Sequence, residues 1–290
     1  MRSLFAVIVS SYIRHHMRMN PKMMEEALSD QSDKTIYDVP KKYKFSGPIE
    51  KVIFDKMPVF KVKRQSKDDY ILLYIHGGAY VHPFYPFHWR FLSKVSRKSG
   101  CRLAVPNYLK LPHYTYKESH QQMMNFYKEF SKEHDMSKVI IAGDSAGGGF
   151  ALSILQQARD MNLPLPKKAI LFSPWVDVIG GNPDFDKKEV MLSYEVAKIP
   201  GTAWAGGDDP HNKLVSPLYG KMDNLPPIDI YVGTYEILYD DCLKTHQLLK
   251  DAGNDTHLFV AKKLGHVYPL WPVREASKPL KAICQELTSK

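Results

Sequence analysis

Cysteine is scarce in this chain: Cys101, Cys242 and Cys284 stand far apart, with no CxxC pair. An odd, sparse set of thiols fits a reducing cytoplasm better than a disulfide framework, and it supplies no structural zinc site. Long hydrophobic runs are missing as well, since nothing approaches the ~18 apolar residues of a transmembrane helix. The longest candidate, residues 4–9, is too short to span and runs into a polar, basic stretch at 12–18. Behind Arg2 it has the outline of a weak secretory segment, but no small-residue cleavage site precedes the basic stretch. Repeats, low-complexity tracts and a linker dividing two domains are also lacking. A cytoplasmic protein with no integral membrane association is the expectation.

What is present is a core and a positive balance. The 290 residues are 44% hydrophobic and 12% aromatic, ample for a packed interior and unlike a disordered chain. Lys and Arg number 40 against 31 Asp and Glu, a net charge of +9. Such a balance suits nucleic acid or an anionic membrane surface. The basic residues are nevertheless spread along the chain, densest at 41–44 and 61–64, so a solvated surface with no nucleic-acid partner is expected.

Short apolar runs alternate with helix-length segments. Residues 70–75, 102–105, 138–142, 169–172, 228–232 and 257–260 read as strands buried on both faces. Between them, 87–98, 116–133, 146–159, 239–252 and 270–286 read as helices, with Gly253 placed as a helix-ending glycine. This alternation predicts an α/β fold with a mostly parallel sheet covered on both faces. Two earlier runs, 49–54 and 59–62, predict a leading antiparallel hairpin that turns at Met57-Pro58. Residues 1–45, helical in pattern, and the Gly-, Pro-, Asp- and Trp-rich stretch at about 180–215 interrupt the alternation and are expected to cover the open end of the sheet.

Gly143-Asp144-Ser145-Ala146-Gly147 has the form G-x-S-x-G, directly after a predicted strand and directly before an Ala/Leu-rich helix. In that context the pattern is a nucleophile elbow, a sharp turn that lifts the serine hydroxyl above the sheet. The helix start behind it offers free N–H groups and a dipole favourable to negative charge. A phosphate-loop reading fails because no Lys-Ser/Thr follows the glycines. His76-Gly77-Gly78-Ala79 follows another strand end, where unhindered backbone N–H groups can meet an oxyanion. Ligands of open α/β sheets bind at those ends.

A serine nucleophile needs a base and an acid, in the order Ser, acid, His for this architecture. Of the downstream histidines, His266 sits in a loop beside Gly265 after the last strand, whereas His246 falls mid-helix and His257 starts a strand. Glu236 is the first carboxylate past the penultimate strand; Asp240 and Asp241 remain competing acids, although both also suit the first turn of a helix.

Together with Ser173-Pro174-Trp175-Val176-Asp177 and Ser216-Pro217-Leu218, these motifs resemble the hormone-sensitive-lipase family of α/β-hydrolases, the bacterial family IV esterases, over residues 70–275. The resemblance implies one α/β-hydrolase domain across 1–290, with a helical cap from about 1–45 and about 180–215. It also implies a Ser145–Glu236–His266 triad, hydrolysis of carboxylic esters and no cofactor or metal. Gly77, Gly78 and Ala146 are the expected oxyanion donors, with His76 holding its loop. Phe84, Tyr85, Phe87, Trp89 and Trp204 are candidates for lining an acyl or alcohol pocket. The sequence departs from the family at Glu236, where Asp is usual, at Ala79 for a glycine, and at Asn107-Tyr108-Leu109-Lys110-Leu111-Pro112, where the family usually has Asp then Tyr-Arg-Leu-Ala-Pro. With no long exposed apolar lid helix in view, small, short-acyl esters are the expected substrates. The same triad would serve amide or peptide hydrolysis, and a non-catalytic ligand-binding hydrolase fold is a further alternative. Homodimerisation through an edge strand or the final helix is left open.

Overall fold

Five of the six continuous apolar runs become the middle of a sheet; the last, 257–260, is instead an edge strand with Phe259 and Val260 exposed, because among the described residues no strand pairs with its outer side. In a computed structural model, which describes residues 3–63 and 70–288, eight strands stand in the order β1-β2-β4-β3-β5-β6-β7-β8. They are β1 (Ile49–Phe54), β2 (Met57–Val62), β3 (Ile71–Ile75), β4 (Arg102–Pro106), β5 (Val139–Asp144), β6 (Lys168–Phe172), β7 (Ile228–Gly233) and β8 (Thr256–Ala261). From β4 to β8 all neighbours are parallel; β2 joins β4 antiparallel and β1 pairs with β2 as the expected hairpin. That hairpin turns at Asp55–Lys56, two positions earlier than the sequence suggested, on two non-glycine residues with positive φ. Met57 and Pro58 belong to the second strand, opposite Phe54 and Ile53. Arg2 and Arg64 lie outside the described residues.

Alternation along the strands feeds two cores. Ile71, Leu73 and Ile75 of β3 face one, while Leu72 and Tyr74 face the other. The first core is closed by α4 (Tyr116–Glu133), α5 (Ala146–Asp160) and α7 (Tyr239–Asp251), the second by α3 (Pro86–Ser99) and α8 (Ser277–Glu286). The last helix begins seven residues later than predicted, because Pro269 and Pro272 break residues 268–276 into two single turns.

The segments that broke the alternation carry α1 (Leu4–His16), α2 (Pro21–Ser29) and α6 (Tyr194–Ala205). Helix α2 starts at an Asn20 cap with Pro21 in its first turn, and α6 at a Ser193 cap. The two helices pack on each other, and the Met19 N–H donates to Met191 O (2.9 Å), so the early segment and the later insertion meet above the strand ends. Among the described residues, no helix is long and apolar enough to cross a membrane.

Candidate active site

The turn between β5 and α5 dictates its own sequence. Ser145 is held at φ 52°, ψ −124°, a conformation that L-residues rarely adopt, and its N–H donates to Phe172 O (2.9 Å). A Cβ on Gly143 would lie 2.3 Å from Gly147 O, and one on Gly147 would lie 2.2 Å from Ile75 O. Both flanking positions therefore exclude a side chain.

Across the sheet edge, His266 Nδ1 and Glu236 Oε2 are 2.9 Å apart, both side chains buried. The other oxygen of Glu236 accepts from the Gly233 N–H (2.6 Å) and from Ser173 Oγ (2.9 Å), and Ser173 Oγ in turn accepts from the Val267 N–H (3.0 Å). Ser173 thus ties the loop of the carboxylate to the loop of the histidine. Burial pushes the His266 pKa down, but the hydrogen bond and charge of Glu236, with Glu189 and Asp144 behind it, outweigh that and leave it raised. No hydrogen bond closes between Ser145 Oγ and His266 in this structure; both residues line one cavity of about 310 Å³.

Asp240 is exposed on the first turn of α7, accepts from Asn182 Nδ2 (2.5 Å) and makes no contact with His266. Asp241 lies beside Asp177, and burial together with that neighbour pushes its carboxyl up to about 6. Of the three carboxylates, only Glu236 pairs with the histidine.

The oxyanion expectation needs correction at Gly77. Its N–H donates to Asp144 Oδ1 (2.9 Å), so this amide is already engaged, and a Cβ there would press on Asp144 Oδ2 at 2.5 Å. The next two residues, Gly78 and Ala79, at φ 123° and 54°, line the cavity. Their N–H groups, like that of Ala146, have no acceptor among the described residues. Asp144 also accepts from Tyr74 Oη (2.6 Å) and lies 3.2 Å from His88 Nε2, whose Nδ1 accepts from the Tyr85 N–H (2.9 Å). Burial alone would raise the Asp144 carboxyl; His88, Tyr74 and Gly77 hold it below its ordinary value. His76 is buried against Tyr108 and Phe84, with Nδ1 2.6 Å from Gly77 O, away from the cavity.

The pocket candidates divide. Tyr85 and Phe87 line the cavity. Phe84 and Trp89 instead fill an aromatic cluster with Phe60 and Tyr37, and Trp204 stacks on Tyr80 at 4.0 Å and is fully buried. Met17, Met19 and Met23 of the early segment and Met191 and Leu192 of the insertion, which no motif announced, also line the cavity. Glu189 was equally silent. It is wholly buried beside the pair, with Oε1 accepting from the N–H groups of Val190 (2.7 Å) and Met191 (2.8 Å) and Oε2 from Ile237 (3.2 Å). Among the described residues no group of three or more His, Cys, Asp or Glu is placed to hold a metal ion.

A sheet of this order, with a serine elbow after its central strand and a His–carboxylate pair at the same edge, defines a class, and comparison with known proteins agrees. The chain belongs to the α/β-hydrolase family: the family model of the alpha/beta hydrolase fold matches residues 72–270. Within it the chain sits with the hormone-sensitive-lipase group, among carboxylic ester hydrolases. An esterase of the bacterial hormone-sensitive lipase family superposes with a TM-score of 0.81 at 26% identity, covering 99% of this chain and 98% of its own. An acetyl-hydrolase of Streptomyces hygroscopicus is 29% identical over 71% of each chain. An esterase of Acinetobacter venetianus is 25% identical over 68% of this chain and 67% of its own.

Proposed function

We propose that this protein is a serine carboxylesterase for small, short-acyl esters, working through Ser145, His266 and Glu236. What carries the reading is the His266–Glu236 pair at 2.9 Å on the same cavity as a serine held in an elbow. His266 Nε2 accepts the Ser145 proton as Oγ attacks the ester carbonyl, and Glu236 fixes the tautomer and stabilises the imidazolium. The N–H groups of Gly78, Ala79 and Ala146 meet the oxyanion; losing one such donor costs roughly 10²–10³ in rate. His266 then protonates the departing alcohol, and water, deprotonated by the same histidine, releases the acid from Ser145.

The early segment and the insertion act as a cap in this reading. They complete a cavity of about 310 Å³, at the small end of ligand sites, which favours short acyl chains. Four methionines in the wall give it an adaptable, apolar lining. The test is a nitrophenyl ester series from acetate to dodecanoate, with wild type and Ser145→Ala in parallel. Activity should peak at short chains and vanish in the variant. Survival of activity in Ser145→Ala would overturn the nucleophile, and a folded wild type inert on every ester but active on anilides would make it an amide hydrolase.

A further inference from the structure

Helix α1 turns large apolar side chains away from the protein. Leu4 is 77% exposed, Ile8 57%, Tyr12 59% and Phe5 52%, and at roughly 100° per residue they share one outward face. The opposite face is docked, with Ala6 and Ile13 buried. Both ends are fastened: the Ser3 N–H and hydroxyl donate to Glu275 (2.6 and 3.0 Å), and Arg14 Nη2 donates to the carbonyls of Lys187 and Lys188 (3.1 and 3.2 Å). The outward apolar face is therefore a fixed feature of the fold, and such a contiguous patch marks a surface that another phase or partner covers.

Charge says which. Residues 1–24 contain no Asp or Glu; Arg18 and Lys22 among them pair with Asp186 and Glu26 (both 3.9 Å), whereas Arg14 has no carboxylate partner among the described residues. Along one flank of α1 runs a cleft of about 360 Å³, lined by Val7, Ser10, Arg14, Lys187 and Lys188 among others, with no carboxylate in its wall. Neither Lys187 nor Lys188 pairs with a carboxylate among the described residues. An apolar stripe beside a row of cations is the pattern of a helix lying in the interface of an anionic bilayer, its apolar side chains among acyl chains and its cations at phosphate level. We propose that α1 and the Arg14–Lys187–Lys188 cleft form a docking surface for an anionic lipid bilayer. His16 at the end of α1 and Met17 and Met19 just after it line the wall of the 310 Å³ cavity, so docking would set that cavity close to the lipid surface.

The experiment is vesicle flotation of the full chain, with phosphatidylcholine alone or mixed with about one-third phosphatidylglycerol, at low and high salt. Wild type should float with the anionic vesicles, at least about tenfold more than with neutral ones, and less at high salt. Leu4→Ser/Ile8→Ser should bind at least about tenfold more weakly, and Lys187→Glu/Lys188→Glu should lose about fivefold or more per lysine. Circular dichroism and thermal unfolding check that each variant is folded. Wild type left unbound by both vesicle types, or variants that float like wild type, would overturn the proposal. So would a dimer in light scattering that Leu4→Ser/Ile8→Ser makes monomeric without changing flotation, since the face would then be covered by a second copy.

Discussion

At the scale of single residues, the site depends on who already holds each hydrogen bond. Glu236 raises the His266 pKa, so in the proposed mechanism the neutral imidazole forms at a higher pH than it would without that carboxylate. In Glu236→Gln the charge is gone; the acid limb of kcat/KM should move to lower pH, and kcat should fall on the order of 10⁴-fold. A pH–rate profile with a short nitrophenyl ester checks both, and an unmoved limb would remove Glu236 from the pair. Asp241 provides a second pH prediction, in stability. Its folded carboxyl titrates at about 6, above its ordinary value of 3.8, so the native state binds that proton more tightly than the unfolded chain does. The stabilisation is complete below about 4 and disappears as pH rises through about 6, leaving a buried charge above that. Asp241→Asn should therefore raise Tm near pH 7.5 and leave it little changed near pH 4, by thermal scans at both values.

Residue-scale legibility was uneven for the same reason. Ser145, His266 and Glu236 could be placed from strand ends and motif order. The sequence could not reveal that the Gly77 amide is already taken by Asp144. Glu189 sits in the charged run Asp186-Lys187-Lys188-Glu189, where nothing distinguishes a buried carboxylate from its solvated neighbours.

At the scale of elements, strands buried on both faces write themselves as unbroken apolar runs, and β3 through β7 fall within one or two residues of their expected positions. Positive-φ residues that are not glycine carry no such mark, which is why the turn at Asp55–Lys56 was misplaced. The elbow is the most demanding element. Gly147→Ala sets a methyl 2.2 Å from Ile75 O, backbone that cannot swing aside. Overpacking of this kind costs about 1–3 kcal/mol, so Tm should fall on the order of 5 °C and activity with it. A Gly147→Ala variant as stable and active as wild type would show that β3 and α5 are less tightly apposed than described.

At the scale of the whole molecule, the cavity exists only because segments more than 150 residues apart in sequence meet over the sheet. Its methionine wall obeys no motif, being set by cap packing and not by chemistry, so the make-up of the cavity wall was the least legible property. Met191→Trp should fill part of the 310 Å³, shifting preference from butyrate toward acetate while leaving acetate turnover within a few-fold. Equal loss on both esters would place Met191 outside the acyl path.

Glu189 gives this arrangement a mechanical character. One carboxylate grips the Val190 and Met191 amides with one oxygen and the Ile237 amide, next to Glu236, with the other. The cavity wall at Met191 and the loop that carries Glu236, the partner of His266, are thereby two arms of a single lever. A backbone shift at residues 190–191, unlike a change of the Met191 side chain alone, is therefore transmitted to Ile237 and the adjoining Glu236.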